Sequence, residues 1–270
     1  ATQANIALLR ERGVNVLGPA SGSQACGEFG AGRLLEAETI VAALAATFAP
    51  GPLAGLRMLV SAGPTFEDID PVRFIGNRSS GRMGFAIASA AARQGARVTL
   101  VAGPVALATP DRVERVDVRS AREMRDAVLA RVATNDVFVS AAAVGDFRVE
   151  SIAPRKIKKQ GAAPLDLRLV QNPDILAEVA ALPKRPFVVG FAAETDDVER
   201  HAREKLEAKG ADLIAANEVG NGRGFEADDN TLLLLWRGGS EKLERADKRV
   251  LAERLVERIV ERMRASGARA

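Results

Sequence analysis

The chain has 270 residues, room for one large domain or two small ones at about 150 residues each, and its 47% hydrophobic content supplies a full core and excludes a disordered protein. With 38 basic and 35 acidic residues and no long block of either sign, the net charge of +3 is too near balance to argue for a nucleic-acid partner. A single Cys excludes a disulfide framework and points to a reducing compartment, one Cys with one His excludes the usual zinc sites, and the absence of Tyr excludes reductases built on a Tyr–Lys acid pair.

The chain opens on Ala1-Thr2-Gln3-Ala4-Asn5, with no basic flank leading into an apolar run, so no signal peptide is expected. The most apolar stretches, Val137 to Val144 and Phe187 to Ala193, are far shorter than the ~20 residues of a membrane-spanning helix. The expected location is the cytoplasm, with no membrane and no nucleic-acid partner. An alanine-rich helical pattern over Glu36 to Thr47 is stopped by Pro50-Gly51-Pro52, which places a boundary near residue 53. Residues 1–53 carry too little apolar surface for a core of their own and read as an arm or the tail of something larger. Residues 54–270 form the main domain.

Past the boundary, strands and helices alternate. Strand runs rich in Val, Leu and Ile are Met58 to Ala62, Arg97 to Ala102, Val113 to Val118, Val137 to Val144, Phe187 to Phe191 and Ala211 to Ala216. Continuous apolar runs of this length suit strands covered on both faces. Helical patterns lie over Arg82 to Gln94, Ala121 to Ala133, Asp174 to Ala181 and Asp197 to Lys209. The rhythm is that of an α/β, doubly wound, Rossmann-like and mostly parallel sheet. A hairpin follows, Thr231 to Trp236 and Glu241 to Glu244 about Arg237-Gly238-Gly239-Ser240, and then a basic amphipathic helix from Lys248 to Arg264. One segment breaks the pattern. Asp146 to Leu169 has no sustained period and carries Lys156-Ile157-Lys158-Lys159, as expected of a functional lid or of a disordered segment.

Ligands of such sheets bind beyond the carboxyl ends of the strands. That rule selects Gly63 after the first strand, Ala142 to Asp146 after the fourth, Phe191 to Glu194 after the fifth and Asn217 after the sixth. The first strand does not pass quickly into its helix, as a dinucleotide fingerprint would; about eighteen residues intervene. In that connection Ser79 and Ser80 suit a helix N-cap, and Gly81 and Gly84 permit close backbone approach, to a ligand or merely to the strand. Asn172-Pro173 reads as an N-cap with proline at the first helical position. Lys205 and Lys209, four apart, share one helix face beside the apolar stripe of Val198, Ala202 and Leu206. No G-x-x-x-x-G-K-[ST] string is present, which excludes a P-loop.

Asp70-Pro71-Val72-Arg73 with Asn77-Arg78-Ser79-Ser80-Gly81-Arg82-Met83-Gly84 closely resembles the signature of the phosphopantothenoylcysteine synthetase family. So do Ala141-Ala142-Ala143-Val144-Gly145-Asp146-Phe147-Arg148, Lys156-Ile157-Lys158-Lys159, Asn172-Pro173-Asp174-Ile175-Leu176 and Val189-Gly190-Phe191-Ala192-Ala193-Glu194, in family order across residues 55–265. Residues 1–45, with Gly18-Pro19-Ala20-Ser21-Gly22 and Ala25-Cys26-Gly27-Glu28, are similar to the last stretch of the flavin-dependent decarboxylase commonly fused ahead of this domain in bacteria. FMN is then expected only in that decarboxylase domain, and Cys26 is expected to be chemically idle here.

The resemblance implies a CTP-dependent ligase that joins 4′-phosphopantothenate to cysteine through an acyl-cytidylate, with Mg²⁺ as cofactor and a homodimer as assembly. It assigns Lys156 and Asn77 to catalysis. Arg73, Asn77 and Ala143 are assigned to the acyl substrate. Gly63, Ser140, Ala141, Ala142, Asp146, Lys156, Pro173, Asp174, Ile175, Leu176, Phe191, Lys205 and Lys209 are assigned to the nucleotide, and Asp146 is the candidate metal ligand. In this family the lysines matching Lys205 and Lys209 touch nucleotide phosphates. On local grounds alone, the lysines of the lid are a solvated charge run, Phe191 is a core residue and Asn77 is a turn former. A nicotinamide-dependent Rossmann oxidoreductase is the alternative from another class; the missing Tyr, the long first connection and the lysine lid argue against it. A non-catalytic regulator with the same fold is the third.

Overall fold

The structure, a computed structural model, describes residues 1–12, 14–23, 27–48, 51–159, 164–194, 197–218 and 229–267. Cys26 lies outside them. The chain divides into two compact units, residues 1–50 and 51–270. The first holds α1 (Thr2–Glu11), β1 (Ala20–Ser23), β2 (Phe29–Arg33) and α2 (Ala37–Phe48), with β1 and β2 paired antiparallel. Among the described residues no buried apolar side chain precedes Leu53, and Phe29, Leu34 and Val41 are exposed.

The second unit runs β3 (Arg57–Ala62), β4 (Phe66–Asp68), β5 (Phe74–Gly76), α3 (Arg82–Arg93), β6 (Arg97–Ala102), β7 (Val113–Asp117), α4 (Ala121–Val132) and β8 (Val137–Ser140). It continues with β9 (Phe147–Val149), β10 (Leu169–Gln171), α5 (Ile175–Ala180), β11 (Phe187–Glu194), α6 (Val198–Lys209), β12 (Leu213–Glu218), β13 (Asp229–Trp236), β14 (Gly239–Asp247) and α7 (Lys248–Ala265). Eight strands form one sheet in the order β14-β13-β12-β11-β8-β3-β6-β7. The six from β12 to β7 are parallel, and the β13–β14 hairpin adds antiparallel at the β12 edge. Chain order runs outward in both directions from β3 and β8. This is the doubly wound arrangement, with its topological switch point between those two strands.

Burial explains the apolar runs. Met58, Val60, Val98 and Leu100 pack with α3 and α7 on one face, whereas Leu59, Val101, Phe138 and Val188 pack with α4, α5 and α6 on the other. No described helix is long and apolar enough to cross a membrane.

Several local expectations change. The long first connection contains the β4–β5 hairpin, whose Phe66 and Phe74 rings stack with centroids 3.9 Å apart. At three residues each, these strands are too short to show a period. The fourth strand ends at Ser140 rather than Val144, because its neighbour β3 ends at Ala62; Ala143 instead donates its N–H to the Gly63 carbonyl at 2.9 Å. The irregular lid is closed at its base by antiparallel pairing of β9 with β10. The terminal hairpin turns on Arg237-Gly238 alone, with Gly238 at φ 89° and Trp236 already paired to Gly239.

Two expected caps also differ. Gly81, left-handed at φ 73°, caps α3, and Ser79 Oγ accepts from its N–H at 3.3 Å. Asp174 caps α5, its carboxylate accepting from the Ala177 N–H at 3.0 Å. Asn172 is not the cap because both ends of its amide are used elsewhere: it donates to the Gly145 carbonyl at 2.8 Å and accepts from Arg148 at 3.2 Å.

Candidate functional site

Beyond the carboxyl ends of β3, β8, β11 and β12 lies a cavity of about 790 Å³. Its walls are the connection into α3 (Asn77 and residues 79–84), the segment after β8 (Ser140 to Phe147) and the entry to α5 (Gln171 to Leu176). Phe191, Ala193, Lys205, Lys209, Asn217, Asn230 and Lys248 complete it. A doubly wound sheet opens here because the connections from β3 and β8 diverge to opposite faces.

The segment after β8 is held by named bonds. Ala141 donates to the Ser61 carbonyl at 3.1 Å, and the Ala143 carbonyl accepts from Thr65 N–H at 3.3 Å. The buried Thr65 hydroxyl accepts from the Gly145 N–H at 2.9 Å, and Asn172 N–H donates to the Asp146 carbonyl at 2.8 Å. Ser140, Ala141, Ala142 and Ala143 thereby present a fixed backbone edge to the cavity, and Asp146 stands exposed on its lip.

Gly63 does not line the cavity. It turns the chain behind the wall at φ 81°, where a Cβ would lie 3.1 Å from Val105 and 3.2 Å from the Gly103 carbonyl. Gly84 lines it but is required for packing: a Cβ there would stand 2.5 Å from that of Ala62.

On the α5–α6 side, Pro173, Asp174, Ile175, Leu176, Phe191, Lys205 and Lys209 all reach the cavity. Ala202 and Leu206 are buried as the stripe predicts, which turns Lys205 and Lys209 toward the opening. Lys205 Nζ donates to the Phe191 carbonyl at 2.6 Å, and Lys209 forms an ion pair with Asp174. Partial burial opposes ionisation of Asp174, yet the Lys209 ammonium, the Ala177 N–H and the charge of Lys205 together hold its carboxyl below the ordinary value. The α5 entry is thus capped by the Asp174 carboxylate rather than by the Asn172 amide.

Asn77 lines the cavity, and its amide donates at 3.2 Å to both the Ala143 and the Val144 carbonyls. Arg73 and Lys156 do not line it. Arg73 is gripped by Asp70 while donating to the Ile157 carbonyl at 2.9 Å, and Lys156, next in the chain, is exposed. In this arrangement the lid is tethered beside the β4–β5 hairpin rather than folded over the cavity, because Asp70 gathers Arg73 and Ile157 onto one carboxylate. Sequence reasoning missed Arg82, Asn230 and Lys248. Asn230 and Lys248 come from the edge hairpin and the final helix, distant in the chain, and no local motif marks them.

Among the described residues, no three His, Cys, Asp or Glu side chains gather into a metal cage. Asp146, a single exposed carboxylate on the lip, suits Mg²⁺ only where phosphate oxygens supply further ligands, which is how Mg²⁺ commonly sits with nucleotides.

Comparison with known proteins places these observations. Residues 53–263 match the model of the family described as the DNA/pantothenate metabolism flavoprotein C-terminal domain. The chain is 51% identical over 266 residues to the coenzyme A biosynthesis bifunctional protein CoaBC of Vibrio parahaemolyticus, covering 97% of this chain and 67% of the relative. It is 51% identical over 267 residues to CoaBC of Escherichia coli strain K12, covering 97% of this chain and 66% of the relative. The chain therefore spans about two thirds of the length of these relatives. Among solved structures, the C-terminal domain of a CoaBC superposes with a TM-score of 0.67 at 35% identity, over 79% of this chain and 97% of that one. A DNA/pantothenate metabolism flavoprotein from Streptococcus pneumoniae shares the fold at 24% identity and a TM-score of 0.66, over 77% of this chain and 99% of that one.

Proposed function

The chain belongs to the DNA/pantothenate metabolism flavoprotein C-terminal domain family, and we propose that it joins 4′-phosphopantothenate to L-cysteine at the expense of CTP, in coenzyme A biosynthesis. The observation that carries this reading is the convergence of three separate signature segments, residues 140–146, residues 173–176 and Phe191 with Lys205 and Lys209, on one cavity at the switch point.

A carboxylate is a poor acyl donor, so the reaction has two steps. The phosphopantothenate carboxylate oxygen attacks the α-phosphorus of CTP, and the bond from that phosphorus to the bridging oxygen breaks. Pyrophosphate leaves with the electron pair. The cysteine amine then attacks the carbonyl carbon of the acyl-cytidylate, CMP departs, and the amine gives up its proton. The first step concentrates charge on phosphate oxygens and calls for cations; the second calls for a donor at the acyl oxygen. Lys156 serves the first when the lid swings from its tether at Asp70 over the cavity and excludes water from the anhydride. Asn77 serves the second by turning its amide from the Ala143 and Val144 carbonyls to the acyl oxygen. Arg73 meets the phosphate or carboxylate of phosphopantothenate, and the Ala143 backbone meets its amide portion. Asp146, together with the nucleotide's own oxygens, would hold Mg²⁺, which would supply positive charge against the phosphates.

The assembly in this reading is a homodimer, working in the cytoplasm. Val72, Phe74, Phe147 and Ile152, on the two small hairpins and the lid, are exposed apolar side chains that a second copy would cover.

Pyrophosphate release, measured with CTP, phosphopantothenate and cysteine together, tests the proposal. Release that requires all three supports it. No release with CTP overturns it; turnover only with a nicotinamide cofactor favours the oxidoreductase, and nucleotide binding without turnover favours the non-catalytic regulator.

A further inference from the structure

We propose that Asn172 is a positioning residue for the nucleotide: through it, the lip that carries Asp146 and the entry to α5 keep one spacing across the mouth of the cavity. The inference deepens the nucleotide-dependent reading above and rests on it. β9 and β10 pair antiparallel from Val149 with Leu169 to Phe147 with Gln171. The next step of that ladder sets Asp146 opposite Asn172, whose N–H donates to the Asp146 carbonyl at 2.8 Å. The ladder can go no further on this strand, because Pro173 has no N–H to give. Asn172 is therefore its last rung, standing where the base of the lid meets the cavity.

The side chain adds a second tie to the same lip. Its amide donates to the Gly145 carbonyl at 2.8 Å, and the Gly145 N–H donates in turn to the Thr65 hydroxyl at 2.9 Å. Gly145 is buried, so both polar groups of this residue are satisfied only by these two side chains being in place. The direction of the amide is set by its partners. A carbonyl takes only a donor, and Arg148, which donates to the Asn172 oxygen at 3.2 Å and also to the Gln171 carbonyl, offers only donors. A cation at the oxygen end polarises the amide and strengthens its donation to Gly145.

On its other side Asn172 leads into a stiff connection. Proline fixes its own φ and confines the residue before it to extended backbone, so Asp174 follows Asn172 with little freedom. Asp174 caps α5 and holds Lys209 in an ion pair. One side chain thus joins two walls whose bonded residues stand 27 apart in the chain. A nucleotide lying between Asp146 and residues 173–176 touches both walls at once only while their spacing is held, and prepaid order of this kind is what positioning contributes. An amide suits the place because it donates to one segment while accepting from another. A carboxylate in its stead would set oxygen against the Gly145 oxygen.

Steady-state pyrophosphate release by the full chain, with each of the three substrates varied in turn, tests the assignment. Asn172→Ala should raise the KM for CTP about tenfold or more and leave those for phosphopantothenate and cysteine within about twofold. Because Asn172 acts through the lip, Asp146→Ala should conceal most of that loss. In the Asp146→Ala background, Asn172→Ala should raise the KM for CTP by no more than about threefold, whereas independent roles multiply. Arg148→Met, which removes the donor at the other end of the amide, should show the same pattern at smaller size and decides the matter if Asn172→Ala does not fold. An unchanged KM for CTP, a common rise in all three constants, or losses that multiply overturns the assignment while leaving the ligase reading intact. A wild type that releases no pyrophosphate overturns the ligase reading, and this inference with it.

Discussion

Asp70, its side chain without exposed surface, receives the Arg73 guanidinium at 2.5 and 3.1 Å on one carboxylate oxygen. The same oxygen accepts the Ile157 N–H at 3.1 Å, and the other accepts the N–H groups of Val72 and Arg73 at 2.8 and 2.9 Å. One buried carboxylate therefore shapes the tip of the β4–β5 hairpin and anchors the lid 87 residues further along the chain. Two motifs that look independent in the sequence, Asp70 to Arg73 and Lys156 to Lys159, are one structural unit.

The Asp70 carboxyl is held well below the usual carboxylate range, foremost by the Arg73 hydrogen bond and against the opposing effect of burial. A carboxyl depressed on folding contributes stability that is present above its unfolded pKa and is lost as pH falls toward the folded one. Asp70→Asn should accordingly lower the melting temperature at neutral pH. The gap from wild type should narrow as pH falls below about 4, where the unfolded carboxyl protonates. Parallel melting curves at every pH would remove the clasp from the account.

Lys156→Ala should leave the fold intact, because the side chain is exposed, and should abolish formation of the acyl-cytidylate. Rapid quench with labelled CTP reads this directly. Intermediate formed at the parental rate means that the lid lysine does not serve activation.

Asn77→Ala should slow capture of the intermediate by cysteine by roughly a hundredfold or more, the usual loss for a single oxyanion donor, with a smaller effect on pyrophosphate release. Single-turnover kinetics separates the two steps. Equal slowing of both contradicts the division of labour between Asn77 and Lys156.

Gly84→Ala sets two effects against each other. Alanine is favoured over glycine inside a helix by about 1 kcal/mol, whereas overpacking costs about 1–3 kcal/mol. With the new Cβ 2.5 Å from that of Ala62 and 3.2 Å from its Cα, both atoms on rigid elements, the clash wins. Urea denaturation should show a lower midpoint. An unchanged or higher midpoint would mean that α3 shifts away from β3 without penalty.

Much of the parallel sheet was legible because a strand buried on both faces needs an unbroken run of Val, Leu and Ile, and such runs stand out at Met58, Leu100, Val139 and Val189. The cavity walls at residues 142–146 and at Phe191 were legible for a related reason: they follow directly on those strands, whereas residues 173–176, Lys205 and Lys209 were marked only by family resemblance. The three-residue strands were not, since Phe66 and Phe74 announce a hairpin only when their rings meet across it. Caps were misplaced by a few residues, because Ser79, Ser80 and Asn172 are all competent caps and only their tertiary partners decide which N–H each one serves.

From its amino-acid order alone, the chain determined its strand-and-helix alternation, its doubly wound class and several of the loops that border the cavity. These follow from local periodicity and from the short distance between a strand and its next connection. Which charges face the cavity was decided only in three dimensions. Lys205 and Lys209 are committed to partners 14 and 35 residues away, Arg73 and the lid are drawn to Asp70, and Lys248 arrives from the last helix. Electrostatic pairing depends on distance through space, and separation along the chain carries almost no information about it.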